Sequence, residues 1–350
     1  MKTINKTSRS GFINYGIVIA TFVVLQILLS QKLLSNSLQS LLVPACCYVV
    51  MAVSLNLTVG ILGELSLGHA GFMSLGAFSG IIASILLQNL IPLAPLRLAV
   101  SMVIGAVFGA VGGVIVGVPV LRLQGDYLAI VTLAFGQIIQ NIIMVLYVGV
   151  DERGIHVAAS SDRFDLAEGG IAIIKGPMGA VGVAKLASFT AGFVLILITL
   201  AVVQNLISSR SGRAIMALRD NRIAAESVGI PVTKYKLMAF VTSAALAGAA
   251  GALFGLNYSS TVASKFNFNT SILVLVFVVL GGLGSIRGSM IAAALLYILP
   301  EMLRGLGLDN FRMLIYAIIL ILVMLATNNP ILQSFFNRIL HRGEKKGVAQ

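Results

Sequence analysis

The sequence predicts an all-α protein that crosses a membrane about ten times, and eight to ten crossings fit the pattern. Three observations lead to this fold class. The chain is 58% hydrophobic and 10% charged, whereas soluble domains carry about 25% charged residues. Apolar runs of roughly 20 residues, the length that a helix needs to span the hydrocarbon core, recur along the chain. One long polar segment, Ser208–Lys236, interrupts these runs.

The first apolar run, Ile13–Ser30, predicts a span that is retained in the protein. It is longer than the hydrophobic region of a typical signal peptide, and no clear small-residue cleavage site precedes Gln31. Nine further runs follow, of which the two between Thr270 and Leu303 are short. The candidate spans in chain order are Ile13–Ser30, Leu41–Val59, Ala70–Leu90, Leu98–Val118, Leu128–Gly149, Ser188–Ile207, Leu237–Leu256, Thr270–Ser285, Met290–Leu303 and Phe311–Thr327.

The basic residues are distributed unevenly between the two sides of these spans. Fifteen of the 24 Lys and Arg residues fall on the side of the N-terminus, and basic residues accumulate in the cytoplasm. Both termini, the segment 208–236 and the basic tail 328–350 are therefore predicted to be cytoplasmic. The loop 150–187 is predicted to be extracytoplasmic, either as a solvated connector or as a surface for a partner. The same rule explains the net charge of +12, so we expect the lipid bilayer and no nucleic acid as a partner.

Two apolar segments are interrupted by glycine, Gly60–Phe72 and Leu280–Met290. In helical transporters such segments often unwind near the substrate path, although glycine also permits close helix packing. Ionisable residues at membrane depth have the same two interpretations, a path residue or a polar residue at a helix interface. The candidate path residues in these segments are Glu64, His69, Gly71, Gly281, Gly282 and Gly284.

The sequence contains no pattern typical of an enzyme. The nearest likeness to a phosphate-binding loop, Gly176–Lys185, lacks the glycine before the lysine and the Ser or Thr after it. The three histidines lie in different segments, which argues against a metal site. Cys46 and Cys47 are adjacent in an apolar run and fit small core residues. We therefore expect no catalytic residue, cofactor or metal, and a protein that does not hydrolyse ATP itself.

The polar segment Ser208–Lys236 contains a helix-forming stretch, Ala214–Val228. Its charged residues make it soluble, and small residues stand between them. This composition is typical of a short helix that packs into another protein. It favours a transporter whose energy comes from a separate subunit. The scarcity of carboxylates in the spans also argues against a proton-coupled carrier.

Four stretches, in this order, resemble the LivM-type permeases of branched-chain amino acid ABC importers. The first two contain LSLGHAGFMSLGA and LRLQGDYLAIVTLAFGQII, and the third is the polar segment with the span that follows it. The stretches are Leu65–Ala77, Leu121–Ile139, Gly212–Leu253 and Val279–Leu295. Gln137 stands where the family commonly has glutamate, and Ser289 replaces a usual proline. Gln137 is included among the possible path residues.

The resemblance implies a single permease domain, 1–350, in the bacterial inner membrane. Its partners would be a LivH-like second permease subunit, two ABC ATPase subunits and an extracytoplasmic amino-acid-binding protein that delivers leucine, isoleucine or valine. The contact with the ATPase would lie within Arg219–Gly229, on Arg219, Asp220, Ala224, Ala225, Glu226 and Gly229. Three alternatives stay open: an importer of urea or another small polar solute, a secondary carrier or channel, and a membrane-bound enzyme.

Overall fold

The computed structural model describes residues 2–31, 35–120, 126–151, 154–161, 164, 170–305, 314, 317–318 and 321. The chain divides into two units, Met1–Ala294 and Leu295–Gln350. The architecture below concerns the first unit and the helix that continues from it. The predicted last span, Phe311–Thr327, lies largely outside the described residues, and the tail 328–350 lies wholly outside them.

Most of the described residues are helical. The helices are α1 (Lys2–Ser30), α2 (Asn36–Asn56), α3 (His69–Leu86), α4 (Ala94–Val120), α5 (Asp126–Val145), α6 (Phe189–Ser208), α7 (Arg210–Asp220), α8 (Arg222–Ser227), α9 (Val232–Gly255), α10 (Phe268–Gly281) and α11 (Ile286–Gly305). Within the described ranges, six helices are long and apolar enough to cross a membrane, and three shorter apolar stretches lie in α1, α10 and α11. Each of these nine apolar stretches overlaps one of the first nine predicted spans, and six of them are long enough to cross a membrane.

The all-α prediction misses a five-stranded antiparallel sheet with the order β2-β1-β3-β4-β5. Its strands are β1 (Tyr147–Asp151), β2 (Gly154–Ala158), β3 (Ile171–Lys175), β4 (Ala180–Val181) and β5 (Ser260–Thr261). The predicted span Leu128–Gly149 is consequently too long, because α5 ends at Val145 and β1 begins at Tyr147. In the register of the sheet, Val148 lies between Val157 of β2 and Ile174 of β3. β-Branched residues favour an extended backbone, but the hydrogen bonds of these short strands come from other strands of the sheet. The hydropathy of the local sequence therefore does not reveal them.

The centre of the bundle is formed by α3, α4 and α9, which approach one another along glycine and alanine surfaces. A Cβ atom on Gly76 of α3 would clash with the carbonyl oxygen of Gly248 in α9. A Cβ atom on Gly248 would in turn clash with the carbonyl oxygen of Gly105 in α4. Small residues let helix backbones come close enough for extensive van der Waals contact, which replaces the hydrophobic effect inside a membrane.

The sheet and the polar segment occupy opposite ends of the bundle. The sheet connects the end of α5 to the start of α6, and β5 follows α9; α7 and α8 connect the end of α6 to the start of α9. The predicted single helix Ala214–Val228 is in fact two helices, broken at Asn221. Asn221 has an extended backbone, and its side-chain oxygen accepts a hydrogen bond from the Ala224 N–H at 3.0 Å. An Asn in this conformation ends one helix and caps the next.

Candidate functional site

The connection between α2 and α3 is irregular. The end of α2 continues as a π-helical turn, Leu57–Leu62, and the chain then reverses at Gly63, which has a left-handed φ of 80°. Residues 64–68 are not helical, and α3 begins only at His69. Irregular backbone of this kind is tolerated at membrane depth where it is buried in protein or lines a cavity.

The second glycine-rich segment meets this irregular connection in space. The side-chain oxygen of Asn56 accepts a hydrogen bond from the Gly284 N–H at 2.8 Å. The Asn56 amide nitrogen donates to the Ser289 Oγ at 2.9 Å. A Cβ atom on Gly60 would clash with the Gly284 nitrogen, so the two glycines are in backbone contact. The two predicted glycine-interrupted segments therefore form one site.

Hydroxyl groups from three helices hold the start of α3. His69 is buried, and its Nε2 lies 2.8 Å from the Oγ of Ser54 in α2. The Ala70 N–H donates to the Ser271 Oγ of α10, and the Leu67 N–H donates to the Thr132 Oγ1 of α5, both at 3.1 Å. The bond from Ala70 satisfies one of the backbone donors that a helix start leaves without an intrahelical partner.

The predicted path residues fall into three groups around this connection. Glu64 and His69 lie at its two ends, and Gly71 packs at close range against Gly136 of α5. Gln137 follows Gly136 and is partly buried. Gly282 and Gly284 have positive φ values, and Gly281 is in backbone contact with Gly288 across the turn between α10 and α11. Each group therefore lies at or beside the interruption of a helix.

Glu64 forms an ion pair with Lys236 of α9, which the sequence interpretation had placed only at the end of a polar loop. Lys236 is 5% exposed, although it is only the fifth residue of α9. A lysine followed directly by a long apolar run is the signal that could have marked it as a residue at membrane depth. The residue types of Asn56, Ser54 and Ser271 gave no such signal, because isolated hydroxyl and amide groups are common in spans.

The predicted coupling residues lie on α8 and its flanks. Ala225 is buried against Leu218 and Val232, whereas Ala224 and Glu226 are exposed. α8 ends at Ser227, and the turn that follows it contains Gly229, whose φ is 84° and whose N–H donates to the Glu226 carbonyl at 3.0 Å. The apolar residues Ile223 and Val228 flank this exposed face and are 81% and 75% exposed.

Arg219, at the end of α7, is directed towards the bundle. Its Nη1 donates to the Gly60 carbonyl at 3.0 Å, and its Nε and Nη2 donate to Asp220 Oδ1 at 3.1 and 3.0 Å. Asp220 is exposed and orients the guanidinium group. Within the predicted coupling set, Arg219 thus contacts the irregular connection, and Ala224, Glu226 and Gly229 lie on the outer surface.

The sheet end carries an apolar surface. Ile155 and Val157 of β2 are 56% and 63% exposed. An open pocket of about 450 Å³ at this end is lined by Tyr147, Ser161, Phe164, Ala172, Lys175, Pro177 and Met178. Among the residues that the structure describes, no group of three or more His, Cys, Asp or Glu side chains could hold a metal ion.

Apolar helices joined by polar, non-helical segments are found in membrane permeases. The chain is a multi-pass protein of the inner membrane. It belongs to the family described as the permease component of branched-chain amino acid transport systems, whose model matches residues 37–324. The resemblance noted in the sequence is thereby confirmed.

The relatives agree with this family. The chain is 33% identical, over 292 residues and 79% of its length, to the high-affinity branched-chain amino acid transport system permease protein LivM of Salmonella typhimurium, and equally to that of Escherichia coli K12. It spans 66% of the length of these two relatives. It is also 32% identical over 124 residues to the permease protein LivH of E. coli K12, covering 35% of this chain and 40% of LivH. No solved structure matches the chain.

Proposed function

We propose that this chain is a permease subunit of an ABC importer that moves leucine, isoleucine and valine inward across the inner membrane. The observation that carries the proposal is the combination of the family match over residues 37–324 with an exposed helical segment, α7–α8, at one end of the bundle. The curated relatives are named as permeases for branched-chain amino acids. An apolar path with a few hydrogen-bonding groups suits a branched aliphatic cargo.

The rest of the importer follows from this assignment. A LivH-like permease pairs with the chain, two ATPase subunits bind the α7–α8 end and hydrolyse ATP, and a binding protein delivers amino acid at the sheet end. The similarity to both LivM and LivH supports a pairing of two related permeases. The exposed Ile223, Val228 and Glu226 give α8 an outer face with apolar and charged groups for an ATPase. This arrangement places α7–α8 and both termini in the cytoplasm, with ten spans.

The translocation path in this proposal passes the irregular connection between α2 and α3. Glu64, His69, Gly71, Gln137 and the turn that contains Gly281, Gly282 and Gly284 lie at its border. Broken helices in transporters expose backbone groups that bind substrate or move between states. The hydroxyl groups around the start of α3 support this choice, since they give an otherwise apolar bundle a polar centre.

Uptake of labelled leucine into proteoliposomes tests the proposal. The vesicles contain this chain, its permease partner and the ATPase subunits, and they receive binding protein and ATP. We expect ATP-dependent uptake that unlabelled isoleucine and valine inhibit and that urea does not. Accumulation by the chain alone would instead identify a secondary carrier, and ATP-dependent uptake of labelled urea without uptake of leucine would identify a urea importer.

A further inference from the structure

Two basic side chains on either side of α8 reach back to the same short segment. Arg219 lies at the end of α7 and Lys236 near the start of α9. Arg219 donates to the Gly60 carbonyl at 3.0 Å, and Lys236 is paired with Glu64. The exposed helix α8 is therefore flanked by two side chains, and both of them contact residues 60–64, at the start of the segment that joins α2 to α3.

The geometry around Arg219 is specific to an arginine. Two of its nitrogens bind Asp220, which leaves Nη1 directed at Gly60. Its aliphatic part passes over Gly63, where an added Cβ would lie 2.7 Å from the Arg219 Cγ. A planar guanidinium with several fixed donors makes these contacts together, and an ammonium group does not.

The Glu64–Lys236 pair is buried, with the two side chains 15% and 6% exposed. Removing two charges from water costs several kcal/mol, so a buried ion pair stabilises a fold little compared with an apolar replacement. Such a pair does fix geometry, because either partner alone would be an uncompensated charge. The Glu64–Lys236 pair therefore fixes the non-helical segment 64–68 against α9.

The segment that these two residues hold is itself joined to the other parts of the site. Gly60 is in backbone contact with Gly284, at the turn between α10 and α11. Leu67 lies two residues before His69, the first residue of α3, and its N–H donates to Thr132 of α5. A displacement of residues 60–64 would thus change the start of α3 and the position of the α10–α11 turn.

We propose that Arg219 and Lys236 are positioning residues that transmit the movement of α8 to residues 60–68, and through them to the start of α3 and the α10–α11 turn. This inference rests on the coupling role proposed above for α8. It adds the particular side chains that carry the movement and the segment that receives it. Uniform movement of the whole bundle would not require either contact.

The test measures ATP hydrolysis and leucine uptake together in proteoliposomes that contain the complete importer. The variants are Arg219→Gln and Lys236→Gln. Their matched control is Lys234→Gln on α9, because the Lys234 side chain is exposed and lies outside the proposed ATPase contact Arg219–Gly229. We expect both variants to assemble and hydrolyse ATP, with uptake per ATP reduced about tenfold through loss of a charged contact. The control should keep the wild-type ratio of uptake to ATP hydrolysis, and Arg219→Lys should restore this ratio only in part.

A double variant separates transmission from folding. Glu64→Gln with Lys236→Gln removes both charges, so no unpaired charge is left buried. If this importer assembles and its uptake per ATP is low, the inference is supported. Wild-type uptake per ATP in the double variant, or in Arg219→Gln, would overturn it, as would an equal fall in hydrolysis and uptake. Failure of the wild-type chain to bind any ATPase would refute the proposed function instead.

Discussion

Asn56 in α2 and Gly284 in the turn between α10 and α11 are joined by a 2.8 Å hydrogen bond from the Gly284 N–H to the Asn56 Oδ1. The same side chain donates to Ser289, so one amide group connects α2 to the turn and to α11. Asn56 is fully buried. It therefore ties together the two segments that form the candidate site.

Replacing Asn56 with alanine is expected to lower the stability of the purified protein. The Gly284 N–H loses its partner and the Ser289 hydroxyl keeps only its bond to the Ser285 carbonyl, and each lost hydrogen bond costs about 0.5–1.5 kcal/mol. Thermal unfolding in detergent, followed by size-exclusion chromatography, measures the change. Asn141→Ala, at an exposed position of α5, is the control. An unchanged unfolding temperature for the Asn56 variant would show that the bond contributes nothing to stability.

Gly63→Ala is expected to reduce uptake and stability. The φ of 80° at Gly63 is unfavourable for alanine, and the added methyl group would press on the Arg219 side chain. Strain of this kind costs about 1–3 kcal/mol. Gly16→Ala is the matched control, since a Cβ there meets nothing within 4 Å. The prediction fails if both variants unfold at the wild-type temperature.

Gly248→Leu is expected to prevent the close packing of α3, α4 and α9. A side chain at this position would enter the backbone of α4 at Gly105 and Gly109. Overpacking costs about 1–3 kcal/mol where neighbours can move, and more is expected here because the neighbours are backbone atoms. Yield of monodisperse protein and its unfolding temperature are the measurements, with Gly16→Leu as the control. Normal yield for Gly248→Leu would contradict this packing.

The two neighbouring alanines of α8 are expected to respond differently to enlargement. Ala225→Phe should destabilise the protein by about 1–3 kcal/mol, because Ala225 is buried beside Leu218 and Val232. Ala224→Phe should leave stability unchanged and weaken co-purification of the ATPase subunits, since Ala224 is exposed. Unfolding temperature and pull-down yield separate the two effects. If the two variants gave equal unfolding temperatures and equal pull-down yields, α8 would not have Ala225 buried and Ala224 exposed.

Gly229→Val and Glu226→Lys are expected to abolish leucine uptake without affecting insertion into the membrane. Gly229 has a φ of 84°, which a β-branched residue does not adopt without strain. Glu226 is exposed on α8, where reversal of its charge would oppose a charged partner. Uptake in cells and the amount of protein in the membrane fraction are compared. Wild-type uptake in both variants would show that α8 is not part of the contact with the ATPase subunits.

Several parts of the site were within reach of the sequence, and others were not. The glycine-rich segments and Glu64 could be named because glycine and charge are unusual in apolar runs. Lys236 was missed because its partner lies 172 positions away. The break at Asn221 was missed because Asn is common both within and at the start of short polar helices. The sheet was missed because its strands are short and pair with distant residues such as Ser260.

The sequence by itself determined the apolar spans, the polar segment between α6 and α9, and the family, because hydropathy and motif order are local properties of the chain. Tertiary structure alone decided that Gly60 meets Gly284, that Lys236 pairs with Glu64, and that Arg219 turns inward to the Gly60 carbonyl. These contacts depend on how close the helix backbones come. That distance is set by the glycine surfaces of several helices packed together, which no single segment specifies.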